Sequence, residues 1–261
     1  MNEVPLGSRD DALIVAGTGG TTSSPMEFPV PTDQLGSVSI APTGAFEAGS
    51  YQTFVLTYTA GKFGIDDSGS MRVCFRFASD QTRPQFEDPL GPNYTTIVAS
   101  NDAVLNYHYD PKGNVRPWDR TLYIKVVRGF LREGDTITIT FGDRSGGSPG
   151  MRLQTFCEES YEFHTLIDPI ATFCYQPMPD QPVIKIVPGK PERFIAVAPT
   201  IRAVNEVFSI RFKGEDKWGN PSDQCEVTFY PRASRPIEGL PARVSLGLGD
   251  FWGEISALSV C

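Results

Sequence analysis

The chain has 261 residues, of which 40% are hydrophobic and 21% charged, and a formal net charge of −8 at neutral pH. This length suits one large domain or two smaller ones, and the acidic balance disfavours nucleic acid and anionic membranes as partners. The counts of Gly (25) and Pro (22), with no long helical pattern, favour short strands joined by many turns.

The N-terminal segment, residues 1–30, carries one short apolar run at residues 12–16 and no basic leader. It matches neither a signal peptide nor a membrane span, so residues 1–30 are predicted to form a flexible arm. The cysteines are widely spaced and form no C-x-x-C pair, which disfavours a zinc knuckle. Free thiols in a reducing, cytoplasmic compartment are the simplest interpretation.

Alternating segments recur from residue 36 onward. In MRVCFRFAS, apolar side chains occupy every second position from Met71 to Phe77, and Arg72, Cys74 and Arg76 take the other face. This period of two is typical of a half-buried strand. Further along, TLYIKVVRGF and DTITITFGD flank the turn LREGD, which predicts a β-hairpin.

A proline-rich stretch divides the strands into two sets. Residues 177–182 contain three prolines, which remove backbone donors and stiffen the chain as in a linker. Strand-like segments such as VIKIV and EVFSIRFKGED follow. The chain is therefore predicted to be all-β, with two tandem antiparallel β-sandwich, immunoglobulin-like domains and long loops. The larger would span residues 31–176 and the smaller residues 183–261.

The two histidines give a weak metal signal. His108 shares the polar face of its strand with Asn106 and Asp110, and His164 shares a face with Glu162. Neither has a third ligand nearby in sequence, so exposed strand histidines are favoured. The G-x-S-x-G letters occur in GGSPG at residues 146–150, but no helix is predicted to follow this loop, so it is not interpreted as a nucleophile turn. No catalytic residue, metal ligand or cofactor is therefore assigned.

Two loops and one aromatic residue are the candidate binding features. Asp66 and Asp67 in GIDDSGS are adjacent, which fits a turn better than a calcium loop, although a looser calcium site stays open. Asp143 and Arg144 in GDRSGGSPG belong either to an anion-binding loop or to a plain connection between strands. Trp118 in RPWDR is the candidate for an exposed sugar-stacking residue, with packing at the core edge as the alternative.

The segment DKWGNPSD is the sharpest local motif in the second half of the chain. It resembles the D-x-x-G-N-P turn of bacterial immunoglobulin-like domains of the invasin type, where the turn is structural. Gly219, Asn220 and Pro221 predict a turn after the preceding strand. Trp218 is expected to plug the end of the second sandwich.

A set of longer stretches resembles one family. The stretches are YTAGKFGIDDSGSMRVCFRFASD, RPQFEDPLGPNYTTIVAS, YDPKGNVRPWDRTLYIKVVRGFLREGDTITITFGDRSGGSPGMRLQTFCEESYEF and EDKWGNPSD. Together they are similar to the N-terminal β region of an uncharacterised bacterial domain-of-unknown-function family. The resemblance implies that full-length members carry a PHP-type (polymerase and histidinol phosphatase-like) metal-dependent hydrolase domain after this region.

The same resemblance bears on the C-terminal segment. In the family, a segment like W-G-(D/E)-(I/L)-H opens the hydrolase domain, and its histidine is expected to bind metal. Here WGEI at residues 252–255 matches, and Ser256 stands at the histidine position. A serine hydroxyl is a poor replacement for imidazole at a transition-metal site. The chain is therefore expected to be truncated before that domain, with no metal ligand carried over.

The expected function is a non-catalytic accessory or scaffold region of a metallohydrolase-like protein, acting as a structural or assembly module. One alternative is a ligand-binding module for carbohydrate or calcium, built on Trp118, Asp66, Asp67, Asp143 and Arg144. Another, for an intact relative, is a metal-dependent phosphoesterase-type hydrolase. The expected partners are a hydrolase domain or a second copy of the chain, bound through the apolar C-terminal strand. Neither nucleic acid nor a membrane is expected.

Overall fold

The computed structural model describes residues 30–260, which form strands, turns and one turn of 3-10 helix at Thr32–Gln34. This confirms the all-β prediction. The predicted arm lies outside the described residues apart from Val30. That residue is buried, and its backbone N–H and carbonyl both hydrogen-bond the side chain of Gln176.

The larger module contains the first fourteen strands of the described residues. They are β1 (Gly36–Ala41), β2 (Ala45–Glu47), β3 (Tyr51–Gln52), β4 (Phe54–Ala60), β5 (Ser70–Phe75), β6 (Thr96–Ala99), β7 (Val104–Asp110), β8 (Arg120–Arg128), β9 (Thr136–Phe141), β10 (Met151–Arg152), β11 (Glu158–Glu162), β12 (His164–Asp168), β13 (Gln176–Pro177) and β14 (Val183–Val187). A four-stranded sheet, β1-β4-β9-β6, and a five-stranded sheet, β13-β12-β5-β8-β7, form the sandwich. Two smaller sheets, β11-β14-β2 and β10-β3, complete the module.

Aromatic rings fill the centre of this sandwich. Phe163 lies between the rings of Phe54 and Phe141 from the four-stranded sheet and Phe75 from the five-stranded sheet, at centroid distances of 5.6, 5.8 and 5.6 Å. All four rings are buried. Tilted and edge-on ring pairs at these distances stabilise a core beyond the area they bury.

The hairpin predicted at LREGD is wrong. β8 pairs with β5 and β7, whereas β9 pairs with β4 and β6, so the turn carries the chain from one sheet to the other. Gly134 has a φ of 87°, which suits glycine in a tight turn. A hairpin within one sheet and a crossing between two sheets can have the same local turn sequence. The partner of each strand is set instead by the packing of the two sheets.

The strand β14 joins the larger module, although the sequence places it at the start of the second one. It pairs antiparallel with β11 and parallel with β2. Ile184 and Ile186 are buried in the larger core. The proline-rich stretch also contacts this module, since the Gln181 side chain donates to the carbonyl of Thr165. In the structure, the chain leaves the larger module after Val187.

The smaller module contains seven strands of the described residues. They are β15 (Arg193–Val197), β16 (Phe208–Glu215), β17 (Pro221–Ser222), β18 (Val227–Phe229), β19 (Ile237–Glu238), β20 (Val244–Leu246) and β21 (Gly253–Val260). One sheet has the order β15-β16-β21-β19, with β17 added to β16, and β18 pairs with β20. Within the described residues, the buried core consists of Phe212, Leu246, Ile255 and Leu258. An apolar cavity of about 400 Å³ adjoins it.

The strand β21 is the segment that the family resemblance assigns to a hydrolase domain, and that assignment stays a prediction. In the structure, β21 lies between β16 and β19 and is antiparallel to both. Its pairing with β16 is irregular near Ser256, because the register shifts between Ile255 and Leu258. Ser256 is exposed at this irregularity.

Candidate functional site on the outer face of the five-stranded sheet

The five-stranded sheet turns a polar and aromatic face away from the core. Alternation along β5 buries Met71 and Val73 and directs Arg72 to the other side. The strand register then places Tyr123 of β8 beside Arg72, and His108 of β7 beside Tyr123. These three side chains therefore cross three adjacent strands, a width of about 10 Å.

Arg72 is held by aromatic rings. Its guanidinium carbon lies 3.6 Å from the ring centroid of Tyr175 and 5.8 Å from that of Tyr123. Nη1 donates to Oδ1 of Asn114 at 3.4 Å, and Nε is buried without a hydrogen-bond partner among residues 30–260. None of the ion pairs in this part of the chain includes Arg72. The guanidinium therefore keeps donors that the surrounding protein does not use.

Tyr175 is fixed over this arginine by its own hydroxyl. The hydroxyl lies 2.7 Å from Oγ of Ser70, which is on the same face of β5 as Arg72. Burial, more than the neighbouring Tyr123, raises the pKa of Tyr175 to about 12. The phenol therefore stays neutral at physiological pH, and its ring faces the arginine as a cation–π partner.

Trp118 lies near the end of β5 and contacts the next part of this face. The His164 ring stacks on the indole with a centroid distance of 4.7 Å and an interplanar angle of 16°. The guanidinium of Arg76 lies 5.2 Å from the indole centroid. Nδ1 of His164 is 2.6 Å from Oε1 of Glu162. The indole is half-buried, and both the imidazole of His164 and the guanidinium of Arg76 contact its ring, so Trp118 packs within the protein.

The two loops predicted as acidic binding sites are separated. Asp66 and Asp67 are exposed in the loop that follows the C-terminal end of β4, and the Asp67 N–H donates to Oδ1 of Asp66 at 2.8 Å. Asp143 follows β9, whose Phe141 pairs with Phe54 at the other end of β4. A strand of seven residues places these loops about 20 Å apart. They therefore do not form a common site.

The glycine-rich loop at residues 142–150 uses its charges within the larger module. The Ser145 N–H donates to Oδ1 of Asp143 at 2.9 Å, and the Thr96 hydroxyl donates to Oδ2 at 2.8 Å. These hydrogen bonds, first that of the Ser145 N–H, hold the pKa of Asp143 below its usual value. Arg144 donates to the carbonyl of Tyr51 at 2.8 Å. Both charged side chains therefore have structural partners.

Residues 30–260 offer neither a clustered metal site nor a membrane-spanning helix. In this range, no three His, Cys, Asp or Glu side chains come together in a group that could hold a metal ion. No helix of the described chain is long and apolar enough to cross a membrane.

The DKWGNPSD turn connects the two modules. Nε1 of Trp218 donates to the carbonyl of Ala48 at 3.0 Å. Nδ2 of Asn220 donates to the carbonyl of Thr155 at 2.9 Å, and its Oδ1 accepts the Cys157 N–H at 3.2 Å. Trp218 was expected to plug the second sandwich, but it contacts the larger module. We call the turn at residues 216–220 and these contacts the interdomain joint.

Asp216 holds the interdomain joint together. Oδ1 accepts the backbone N–H groups of Trp218 and Asn220 at 2.9 Å each, and Oδ2 accepts Nδ2 of Asn220 at 2.9 Å and the Gly189 N–H at 3.1 Å. Burial by itself would raise the pKa of this carboxyl, but the four hydrogen bonds keep the pKa below its usual value. Gly49 completes the contact, because a Cβ there would lie 2.5 Å from Nε1 of Trp218.

The cysteines are expected to differ in reactivity towards iodoacetamide. Cys74 is fully buried, and burial raises its pKa to about 11. Cys157 is exposed at the surface, but the protein around it and the nearby Asp216 also raise its pKa to about 11. Cys174 is exposed. Because the thiolate is the reacting form, peptide mass spectrometry at pH 8 should show that, of the four cysteines within residues 30–260, Cys174 is labelled first and Cys74 last. Labelling in guanidinium chloride is the control, and rapid labelling of Cys74 in the folded protein would contradict this prediction.

Comparisons with known proteins give a structural likeness but no sequence relative. No protein-family model matches the chain, and no curated protein matches it. Among solved structures, the chain is similar to the CBM3a-L domain with flanking linkers from scaffoldin cipA of the cellulosome of Clostridium thermocellum. The identity is 13%, the match covers 59% of this chain and 96% of that one, and the TM-score is 0.32. Nothing about a ligand or an activity follows from a likeness at this level. The β-sandwich architecture itself is defined by the strands described above.

Proposed function

We propose that this chain is a non-catalytic β-sandwich accessory region that acts as a structural or assembly module of a metallohydrolase-like protein. The interdomain joint is the observation that carries the proposal. It fixes one module on the other through side chains that bond directly to the partner module's backbone.

A scaffold needs modules that keep a constant relative position. Domain interfaces within one chain commonly allow relative motion unless they are large and apolar. Here Asn220 is buried between the modules and uses both ends of its amide on Thr155 and Cys157. Separating the modules would leave these polar groups without their partners, which opposes motion about the joint.

The family resemblance supplies the partner in this proposal. A PHP-type hydrolase domain would dock on the two modules, and the modules would shape access to it or mediate assembly in a bacterial cytoplasm. A second copy of the chain is the alternative partner, and it would have to contact the exposed side chains of β21, since this strand already pairs with β16 and β19. Mixing the chain with the hydrolase domain of a full-length family member should give a complex on size-exclusion chromatography, and separate elution would contradict the docking.

The rigidity of the pair is tested by nuclear spin relaxation. Backbone ¹⁵N relaxation of the chain is expected to give one rotational correlation time for both modules, and Trp218→Ala is expected to give two. The matched control is Tyr230→Ala, since Tyr230 is 70% exposed in the smaller module and has no hydrogen bond to the larger module among residues 30–260. Independent tumbling in the unchanged protein would overturn the scaffold proposal.

The non-catalytic part of the proposal has its own assay. The purified chain is incubated with p-nitrophenyl phosphate and bis-p-nitrophenyl phosphate, with and without Mn²⁺ or Zn²⁺, and no hydrolysis above the metal blank is expected. A metal-dependent activity that a point change within the chain abolishes would contradict this part.

A further inference from the structure

The outer face of the five-stranded sheet carries cations that the protein does not neutralise. Lys125 lies on this face between Ser70 of β5 and Asn106 of β7. Like Arg72, it takes part in none of the ion pairs formed within residues 30–260. The chain as a whole has a net charge of −8, so two cations without an ion pair on one face differ from the rest of the described surface.

The carboxylates next to these cations already have other partners. Asp168 lies beside Ser70 in the register, but it is buried and accepts hydrogen bonds from both Thr172 and Phe173. Asp110, two residues beyond His108, accepts the backbone N–H of Lys112 at 2.8 Å. The Nη2 donors of Arg72, which have no partner among residues 30–260 and are not buried as Nε is, therefore suit an anion supplied from outside the chain.

The aromatic groups on the same face indicate the shape of the ligand molecule that bears this anionic group. Tyr175 and Tyr123 flank the guanidinium of Arg72, and His108 packs against Tyr123 at a centroid distance of 5.2 Å. Side chains on adjacent strands of a sheet form a broad and shallow surface, about 10 Å across three strands. Such a surface fits an extended chain of rings better than a compact ion.

We propose that this face, which we call the Arg72 face (Arg72, Lys125, Tyr123, Tyr175 and His108), binds an acidic saccharide whose sugar rings carry carboxylates. The planar guanidinium would bond a uronate carboxylate, a group that it matches in geometry. The sugar rings would lie against Tyr123 and the exposed His108. This inference goes beyond the proposed scaffold function, since it assigns a ligand to the larger module alone.

Free phosphate is a less suitable ligand for this geometry. Phosphate sites usually combine several cations with backbone N–H groups from a loop or a helix N-terminus. On the Arg72 face, the groups come from side chains of β5, β7 and β8 and from Tyr175, and β5 and β8, which carry both cations, are paired on both sides in the sheet.

The test is isothermal titration calorimetry of the full chain with trigalacturonate, with galactotriose as the neutral counterpart and inorganic phosphate as the compact anion. Trigalacturonate should bind at least about tenfold more tightly than either, which corresponds to roughly one charge-assisted hydrogen bond. Arg72→Gln and Lys125→Gln should each weaken binding by about tenfold. Arg211→Gln is the matched control, because this exposed arginine lies in the smaller module and pairs with Glu254. It should bind as the unchanged chain does.

Several outcomes would overturn the proposal. Absence of trigalacturonate binding would do so, as would equal binding of galactotriose or phosphate. Binding that survives both substitutions would also reject the Arg72 face. If Arg72→Gln fails to fold, as judged by thermal unfolding, the test of the proposal is Lys125→Gln. The Lys125 side chain is only half-buried. None of these results depends on the interdomain joint, so failure here leaves the scaffold proposal to its own test.

Discussion

Asp216→Ala is expected to destabilise the interdomain joint by about 2–4 kcal/mol and to uncouple the unfolding of the two modules. The substitution removes the acceptor of four hydrogen bonds, three of them from backbone N–H groups that the turn directs inward. A buried donor that loses its acceptor costs more free energy than the bond itself contributes in water. Trp218 lies in the turn that Asp216 holds. Its hydrogen bond to the carbonyl of Ala48 should therefore be lost when the turn opens.

Urea denaturation measures this effect. The unchanged chain should unfold with coincident changes in tryptophan fluorescence and circular dichroism, whereas Asp216→Ala should show two separate transitions. Asp250→Ala is the matched control, since Asp250 accepts the Gly247 N–H in an exposed turn of the same module. An Asp216→Ala protein that unfolds in one transition at the wild-type midpoint would contradict the role of this carboxylate.

Phe163→Ala is expected to destabilise the larger module by about 3–5 kcal/mol. Its ring contacts Phe54, Phe75 and Phe141, so truncation would open a cavity where the two sheets meet. The surrounding rings come from different strands and cannot all collapse into the space. Such a loss is a large fraction of the stability of an ordinary domain.

The measurement is again equilibrium denaturation, with Phe173→Ala as the control. Phe173 is 80% exposed, so its replacement should change the free energy of unfolding by about 0.5 kcal/mol or less. Equal stability of the Phe163 and Phe173 variants would argue against the aromatic cluster as the centre of the core.

The strands of the larger module could be predicted because their signal is local. Met71 and Val73 on β5, and Ile137 and Ile139 on β9, follow the period of two and are buried as that period requires. The partners of the strands could not be predicted in the same way. The hairpin at LREGD failed because a turn fixes the direction of the chain but does not fix which sheet receives the next strand.

The candidate site shows the same limit. Alternation along β5 was enough to place Arg72 on the outer face, but Tyr175 lies over it from a stretch with no strand periodicity. The turn at residues 216–220 was recognisable from Gly219 and Asn220 and from Pro221, which follows it. Its contact with Gly49 was not, since the two segments are distant in sequence and meet only after both modules have folded. The signal available in the sequence for the Arg72 face was an arginine on one predicted strand, Arg72, and a tyrosine on another, Tyr123.

The parallel pairing of β14 with β2 bears on how the protein is made. β2 and β11 both need β14 as a neighbour, and β14 is synthesised after every other strand of the larger module. Before β14 is synthesised, the edges of β2 and β11 are unpaired in the nascent chain. Unpaired strand edges can bind other chains, which favours aggregation. An expression fragment cut at the proline-rich stretch would keep those edges open permanently. A fragment of the larger module therefore has to extend through Val187 to be closed.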